Sequence, residues 1–147
     1  MGRTPPKQLT IPSVVTAIST VNRTIMSEVE ARGYGEQVQF AIRLALDEAV
    51  SNAIHHGNGN DPSKFVRIEY SIDDREARIS VCDEGRGFNP KTLPDPTVND
   101  NLMKPNGRGV MLIRAYMTEV SYNDEGNCVT MVKRRDCGLP VSLKQRA

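Results

Sequence analysis

Apolar residues recur at helical spacing in two stretches of the first part of the chain. The first stretch follows Ser13, which is predicted as its N-cap, and ends near Gly33. The second runs from about Glu36 to His56, and Gly57 then ends it. The apolar positions are Val14, Ala17, Ile18, Val21, Ile25 and Val29 in the first helix, and Val38, Ile42, Ala45, Leu46, Ala49, Val50, Ala53 and Ile54 in the second.

The spacing of apolar residues then changes from helical to alternating. Apolar and polar residues alternate over 66–72 and again over 77–82, and a turn at 73–76 separates them. This pattern predicts a β-hairpin with one buried face. Further strands are predicted near 118–122 and 128–133. With the helices, these strands predict an α+β two-layer sandwich, in which an antiparallel or mixed sheet is covered by helices on one face.

A long irregular loop is predicted at 88–106, because prolines occur there among Asp and Asn residues. A third helix is predicted at about 110–117. The chain is divided accordingly into an N-terminal arm (1–12, with a short strand around 8–11), one domain (13–134) and a C-terminal tail (135–147).

Charge and composition exclude several classes of function. The 147 residues suit one domain, and 19 Lys and Arg against 18 Asp and Glu leave a net charge of +1. That balance argues against an electrostatic nucleic-acid binder. Trp is absent and aromatic residues make up 5%, which argues against a platform for stacking single-stranded bases.

The cysteines and the chain termini indicate the compartment. Cys82, Cys128 and Cys137 have no CxxC spacing, so they favour a reducing compartment and predict neither a disulfide framework nor a zinc site. No apolar run approaches the roughly 20 residues of a membrane helix, and the N-terminus lacks the apolar region of a signal peptide. The sequence therefore predicts a soluble cytoplasmic protein without a membrane partner.

Glu48 and Asn52 are the first candidate site. They lie at i and i+4 on the second helix, beside the apolar stripe and on one face. A carboxylate and an amide placed together can hold a cation and activate a hydroxyl, and Mg²⁺ accepts an amide oxygen together with phosphate oxygens. The alternative is an ordinary solvated helix edge.

Asp83 is the second candidate, because it ends the core-facing row of its strand. A buried carboxylate needs hydrogen-bond donors, either from the protein or from a ligand amine such as that of adenine. Gly85 and Gly87 follow, so a ligand can approach the backbone there. The alternative is a glycine turn with a capping Asp.

Gly107, Arg108 and Gly109 form the third candidate, just before the third helix. Glycines that open a helix expose amide groups that can bind phosphate oxygens. The alternative is a simple turn from loop to helix, with Arg108 facing solvent instead of phosphate.

Together, the three candidates resemble the nucleotide-binding boxes of the GHKL (Bergerat-fold) ATPase and kinase superfamily. Residues 44–57 read LALDEAVSNAIHHG, residues 83–87 read DEGRG, and residues 107–109 read GRG. More narrowly, NAIHHGNGNDP followed by a hairpin and DEGRGFNP resembles the anti-sigma factor serine/threonine kinases, the RsbW-type regulators of bacteria. The resemblance covers about 10–134.

The resemblance implies an ATP and Mg²⁺ site with defined roles. Glu48 corresponds to the general base toward a substrate serine or threonine, and Asn52 to the Mg²⁺ ligand. Asp83 corresponds to the carboxylate that selects adenine, with Gly87 allowing close approach to the base. Relatives often begin the final strand with Gly-Thr-Thr, which helps to hold adenine through water, and here Asn127 stands in that segment.

The phosphate end of the implied site departs from the resemblance. The loop 93–106 corresponds to an ATP lid and 107–109 to the phosphate-binding turn. Many relatives carry an arginine where this chain has Pro105. Lys104 or Arg108 can supply that positive charge.

The implied function is an ATP-dependent serine/threonine kinase that acts as an anti-sigma factor. Its implied partners are a STAS-domain anti-anti-sigma protein, which would be phosphorylated, and a sigma factor. One alternative is a nucleotide-dependent binding module that sequesters a partner without phosphotransfer, and another is a stress or light-signalling regulator with a different target. The first helix could form a homodimer surface unless its apolar stripe is core. His55 and His56 are interpreted as helix-terminal histidines that interact with the helix dipole, not as metal ligands.

Overall fold

The computed structural model describes residues 5–85 and 113–136 of the chain. A 3₁₀ turn precedes the first helix, a π-helical turn follows the second, and residues 113–116 are also helical. The main elements are β1 (Lys7–Pro12), α1 (Ile18–Ala31), α2 (Glu36–Asn52), β2 (Phe65–Ile72), β3 (Glu76–Cys82), β4 (Glu119–Tyr122) and β5 (Cys128–Arg134).

The five strands form one sheet in the order β1-β2-β3-β5-β4, and every neighbouring pair is antiparallel. The predicted α+β sandwich is confirmed, and the described sheet is antiparallel, not mixed. Alternate residues of β2 and β3 are buried, as their period-2 pattern predicts. The two helices cover that apolar face and complete the core.

The apolar stripe of α1 lies inside this core. Val21, Ile25 and Val29 are fully buried in the single chain. Because the core already covers these side chains, they offer no basis for the homodimer surface suggested by the sequence.

The prediction of Ser13 as an N-cap is wrong. The helix α1 begins at Ile18, and Ala17 occupies its N-cap position without a side-chain hydrogen bond. Ser13 is instead only 2% exposed, and its hydroxyl donates to the carbonyl oxygen of Lys64 over 2.8 Å. A contact with a distant segment therefore replaces the local cap.

The segment predicted as an N-terminal arm contributes an edge strand. Leu9 in β1 lies opposite Ile68 in β2, and Ile11 is buried in the core. Residues 7–12 thus belong to the folded domain. The predicted loop at 88–106 and the start of the third helix lie outside the described residues, as do positions 137–147 of the predicted tail. Arg135, at the start of that tail, donates to the carbonyl oxygens of Arg32 and Gly33.

Two cysteines form a disulfide that the sequence does not predict. Cys82 ends β3 and lies directly opposite Cys128 at the start of β5, with 4.0 Å between their Cα atoms. They are 46 positions apart in the chain, so only the register of the sheet reveals the pair. Within the described residues, no helix has the length and apolar character needed to cross a bilayer.

Candidate functional site

Glu48 and Asn52 lie one turn apart near the end of α2, and both side chains are half-buried. Their neighbours Ala45 and Ala49 face the core, so the pair lies at the border between core and solvent. Neither side chain has a hydrogen-bond or ion-pair partner within the described part of the chain. A carboxylate and an amide oxygen are therefore available side by side, and such hard oxygen donors suit Mg²⁺.

The helix changes its hydrogen bonding directly after Asn52. Ala53–Gly57 form a π-helical turn, and the amide of Asn58 donates to the carbonyl oxygen of Ala53 over 2.8 Å. Single π-turns inside helices are frequent at functional sites. This turn carries Gly57 toward the end of β3.

The Asp83 carboxylate lies directly against the bare backbone of Gly57. A Cβ atom built on Gly57 would stand 2.2 Å from the Asp83 Cγ atom and 2.3 Å from Oδ2. A Cβ atom on Gly85 would stand 2.1 Å from the carbonyl oxygen of Gly57. The end of α2 and the turn after β3 therefore touch at distances that only glycine permits.

Burial has the largest effect on the pKa of the Asp83 carboxyl. Desolvation raises the pKa of Asp83, against weaker opposing effects from the Gly85 amide and the positive charge of Lys64. The Gly85 amide donates to Oδ1 over 2.7 Å. No described residue donates to Oδ2. One carboxylate oxygen is thus held by the turn, and the other can accept a hydrogen bond from a ligand.

Asn127 links β5 to the same turn. Its carbonyl oxygen accepts from the Asp83 amide over 2.9 Å, and its Nδ2 donates to the Gly85 carbonyl oxygen over 3.4 Å. Its Oδ1 accepts from Asn123 Nδ2 over 2.7 Å. The side chain of Asn127 is therefore engaged within the protein on both sides and supports the turn that carries Asp83.

The two histidines lie on the π-turn beside these residues. The Nδ1 atom of His55 lies 2.5 Å from Asn60 Oδ1. Burial, and then the charge of His55, lowers the pKa of His56. Within the described ranges, His, Cys, Asp and Glu side chains do not gather in groups of three or more that could hold a metal ion.

Comparison with known proteins identifies the family of this arrangement. The chain matches the histidine kinase-like ATPase domain family over residues 11–133. It belongs to that family.

Two relatives bear out the resemblance to the RsbW-type regulators. The serine-protein kinase RsbW of Listeria monocytogenes is 26% identical over 122 residues, which is 78% of each chain. The anti-sigma F factor of Geobacillus stearothermophilus is 35% identical over 94 residues, which is 62% of this chain and 64% of that one.

A solved structure shares the fold. The RsbU and RsbW domains of a Mycobacterium tuberculosis protein match with a TM-score of 0.61 and 21% identity. The match covers 93% of this chain and 34% of that longer one. This likeness supports the ATPase-domain fold.

The ATPase domain brings four of the predicted site residues to one region. Glu48 and Asn52 occupy the last turns of α2, while Asp83 and Gly85 pack on the turn that continues this helix. Gly57, which the sequence predicts only as a helix end, lies against Asp83 in the same region. The remaining predicted residues, which lie outside the described part of the chain, are Gly87, Lys104, Gly107, Arg108 and Gly109.

Proposed function

We propose that this chain binds ATP and transfers its γ-phosphoryl group to a serine or threonine of a partner protein, as an anti-sigma factor. The observation that carries the proposal is the Asp83 carboxylate, held against Gly57 at the end of the helix that bears Glu48 and Asn52. The family match and the names of the relatives support the same conclusion.

Asp83 selects the base in this proposal. The exocyclic amine of adenine donates to Oδ2, while the Gly85 amide holds Oδ1 in place. Guanine presents a carbonyl oxygen at the corresponding position, which would repel the ionised carboxylate. Gly85 leaves the nearby backbone without a side chain, and we assign to Gly87 the same role beside the base.

Asn52 and Glu48 serve the phosphate end. The Asn52 side-chain oxygen would hold Mg²⁺, which neutralises phosphate charge when it is bound. Glu48, one turn earlier on the same face, accepts the proton of the substrate hydroxyl while the hydroxyl oxygen attacks the γ-phosphorus. The bond from phosphorus to the bridging oxygen of ADP breaks, and ADP leaves.

The remaining phosphate contacts are assigned to the segment before the third helix. The backbone amides of Gly107 and Gly109 would bind phosphate oxygens, with positive charge from Lys104 or Arg108. These cations take the place of the arginine that Pro105 replaces.

The proposed substrate is a STAS-domain anti-anti-sigma protein that presents a serine hydroxyl, and the second partner is a sigma factor. The names of the relatives support a regulator of this kind. A phosphoryl group on the STAS-domain protein would add negative charge at its contact with this chain and weaken that contact. The chain would then be free to bind the sigma factor.

The test is phosphotransfer from radiolabelled ATP to a candidate STAS-domain protein by the wild type and by Glu48→Gln. The variant should keep its ATP affinity, because Glu48 does not touch the base, and should lose about 10²–10⁴ in transfer rate, as expected for loss of a general base. Asp47→Asn is the matched control, since the adjacent Asp47 carboxylate is occupied by Asn22 at 2.7 Å.

Each result discriminates between functions. ATP binding without transfer by the wild type would favour the nucleotide-dependent binding module. Transfer at the normal rate by Glu48→Gln would exclude Glu48 as the base. Failure of the wild type to bind any adenine nucleotide would overturn the proposal.

A further inference from the structure

Asn58 follows Gly57 and is one of three buried polar residues among those described; it is 2% exposed. Its Nδ2 atom donates to Ser13 Oγ over 2.8 Å and to the Phe65 carbonyl oxygen over 3.0 Å. Its Oδ1 atom accepts from the Glu84 amide over 2.8 Å. A single buried amide therefore joins three segments: the end of β1, the start of β2 and the turn after β3.

Glu84 is the residue between Asp83 and Gly85, and it is held twice. Its amide donates to Asn58 Oδ1, and its carboxylate accepts a hydrogen bond from the Phe65 amide. Phe65 is in turn bound by Asn58. The three residues form a closed ring of hydrogen bonds, which ties the turn after β3 to the residue that directly follows Gly57.

The hydrogen bond between Asn58 and Glu84 lies next to the contact between Asp83 and Gly57. Asn58 is covalently joined to Gly57, on which the Asp83 carboxylate lies. Glu84 is covalently joined to Asp83 itself. The hydrogen bond between Asn58 and Glu84 thus holds together the two backbone segments that carry Gly57 and Asp83.

We propose that Asn58 is a positioning residue for purine recognition: it holds the Asp83–Gly85 turn against the end of α2 so that Asp83 Oδ2 meets the exocyclic amine of the base. This inference rests on the proposed binding of ATP. Asn58 itself touches no nucleotide and acts through Glu84 and Asp83.

The experiment compares two nucleotides on the full chain: ATP, and the triphosphate of purine riboside, which lacks the 6-amino group. The wild type should bind ATP about tenfold or more tightly than the analogue, because a hydrogen bond to a charged acceptor is lost. In Asn58→Ala this ratio should fall to within about twofold of unity, because the carboxylate is no longer aligned with the amine. General destabilisation would weaken both nucleotides equally and leave the ratio unchanged.

Ser13→Ala is the matched control. It removes a partner of the same amide on the side away from Glu84, while the bond from Asn58 to Phe65 remains. This variant should lose stability and keep the wild-type ratio.

Amide hydrogen exchange of the wild type tests the hydrogen bond between Glu84 and Asn58 without any substitution. The Glu84 residue is exposed, so slow exchange of its amide in the nucleotide-free chain would support the bond to Asn58, and exchange at the rate of a free amide would overturn the inference. If the wild type discriminates and folded Asn58→Ala discriminates equally, the inference is also wrong while ATP binding stands. If the wild type binds neither nucleotide, the proposed function itself fails.

Discussion

Replacing Gly57 with alanine tests the geometry of the site with a single methyl group. The added Cβ atom would stand 2.2 Å from Asp83 Cγ, 2.3 Å from Oδ2 and 2.6 Å from Oδ1. Non-bonded carbon atoms approach one another to about 3.5–4.0 Å. The carboxylate must therefore retreat by more than about 1 Å, which removes it from the position proposed for the adenine amine.

The expected loss follows from that displacement. A hydrogen bond to a charged group contributes about 1.5–3 kcal/mol, so ATP affinity should fall by about 10- to 150-fold. The fold itself should survive, because Gly57 does not have a positive φ that would exclude alanine. Alanine in a helix is also favoured over glycine by about 0.5–1 kcal/mol, which offsets part of the local crowding.

The assay is a calorimetric titration with Mg²⁺-ATP, after circular dichroism has shown that the variant is folded. Gly35→Ala is the matched control: this glycine lies at the opposite end of α2, has a φ of −66°, and leaves a Cβ atom built on it with nothing within 4 Å. It should bind ATP as the wild type does. If folded Gly57→Ala bound ATP with wild-type affinity, the position of the Asp83 carboxylate against Gly57 could not be the one that binds adenine.

Two further predictions concern stability. Burial raises the pKa of Asp83 above its usual 3.8. The protonated carboxyl therefore contributes stability that is fully present below pH 3.8, and this contribution is lost as the pH rises through the raised pKa. Asp83→Asn should thus raise the melting temperature of the nucleotide-free chain more at pH 7 than at pH 3.5, and an equal gain at both would contradict the assignment. Reduction of the Cys82–Cys128 disulfide, which closes a separation of 46 residues, should lower the free energy of unfolding by about 2–4 kcal/mol. Denaturation of the wild type with and without reductant measures this effect. The free energy of unfolding of Cys82→Ser should not depend on reductant. An equal free energy of unfolding for the wild type in both conditions would contradict the disulfide.

The sequence predicts β2 and β3 well because apolar and polar residues alternate along each of them. In β2 and β3, the alternate apolar residues are those the structure buries, from Val66 to Val81. The same holds for the apolar stripe of α2 and for that of α1 from Val21 onward. A periodic pattern records which face meets the core, and that single fact determines much of an α+β sandwich.

Ser13 and Asn58 show where such reasoning stops. Both are polar residues next to a predicted helix. Ser13 is predicted as a cap there, and the segment Asn58-Gly59-Asn60-Asp61-Pro62 has the composition of a surface turn. In the fold they bond each other across 45 positions, and Asn58 also bonds Glu84 across 26. A local rule has no access to a partner that only tertiary structure supplies, so it places two buried residues at the surface.

The candidate site is only partly predictable for a related reason. Glu48, Asn52 and Asp83 can be proposed as site residues from the sequence because their segments together resemble the nucleotide-binding boxes of the GHKL superfamily. Much of the junction that holds Asp83, however, consists of backbone: the carbonyl of Gly57 against Gly85, and the Asp83 amide on the carbonyl of Asn127. A sequence does not record which peptide groups meet. Glycine is required at 57 because a Cβ atom there would stand 2.2 Å from the Asp83 Cγ atom, and not because of its local conformation, since Gly57 is not among the described glycines with a positive φ. The sequence pattern therefore predicts Gly57 only as the end of a helix, whereas in the fold it lies directly against Asp83.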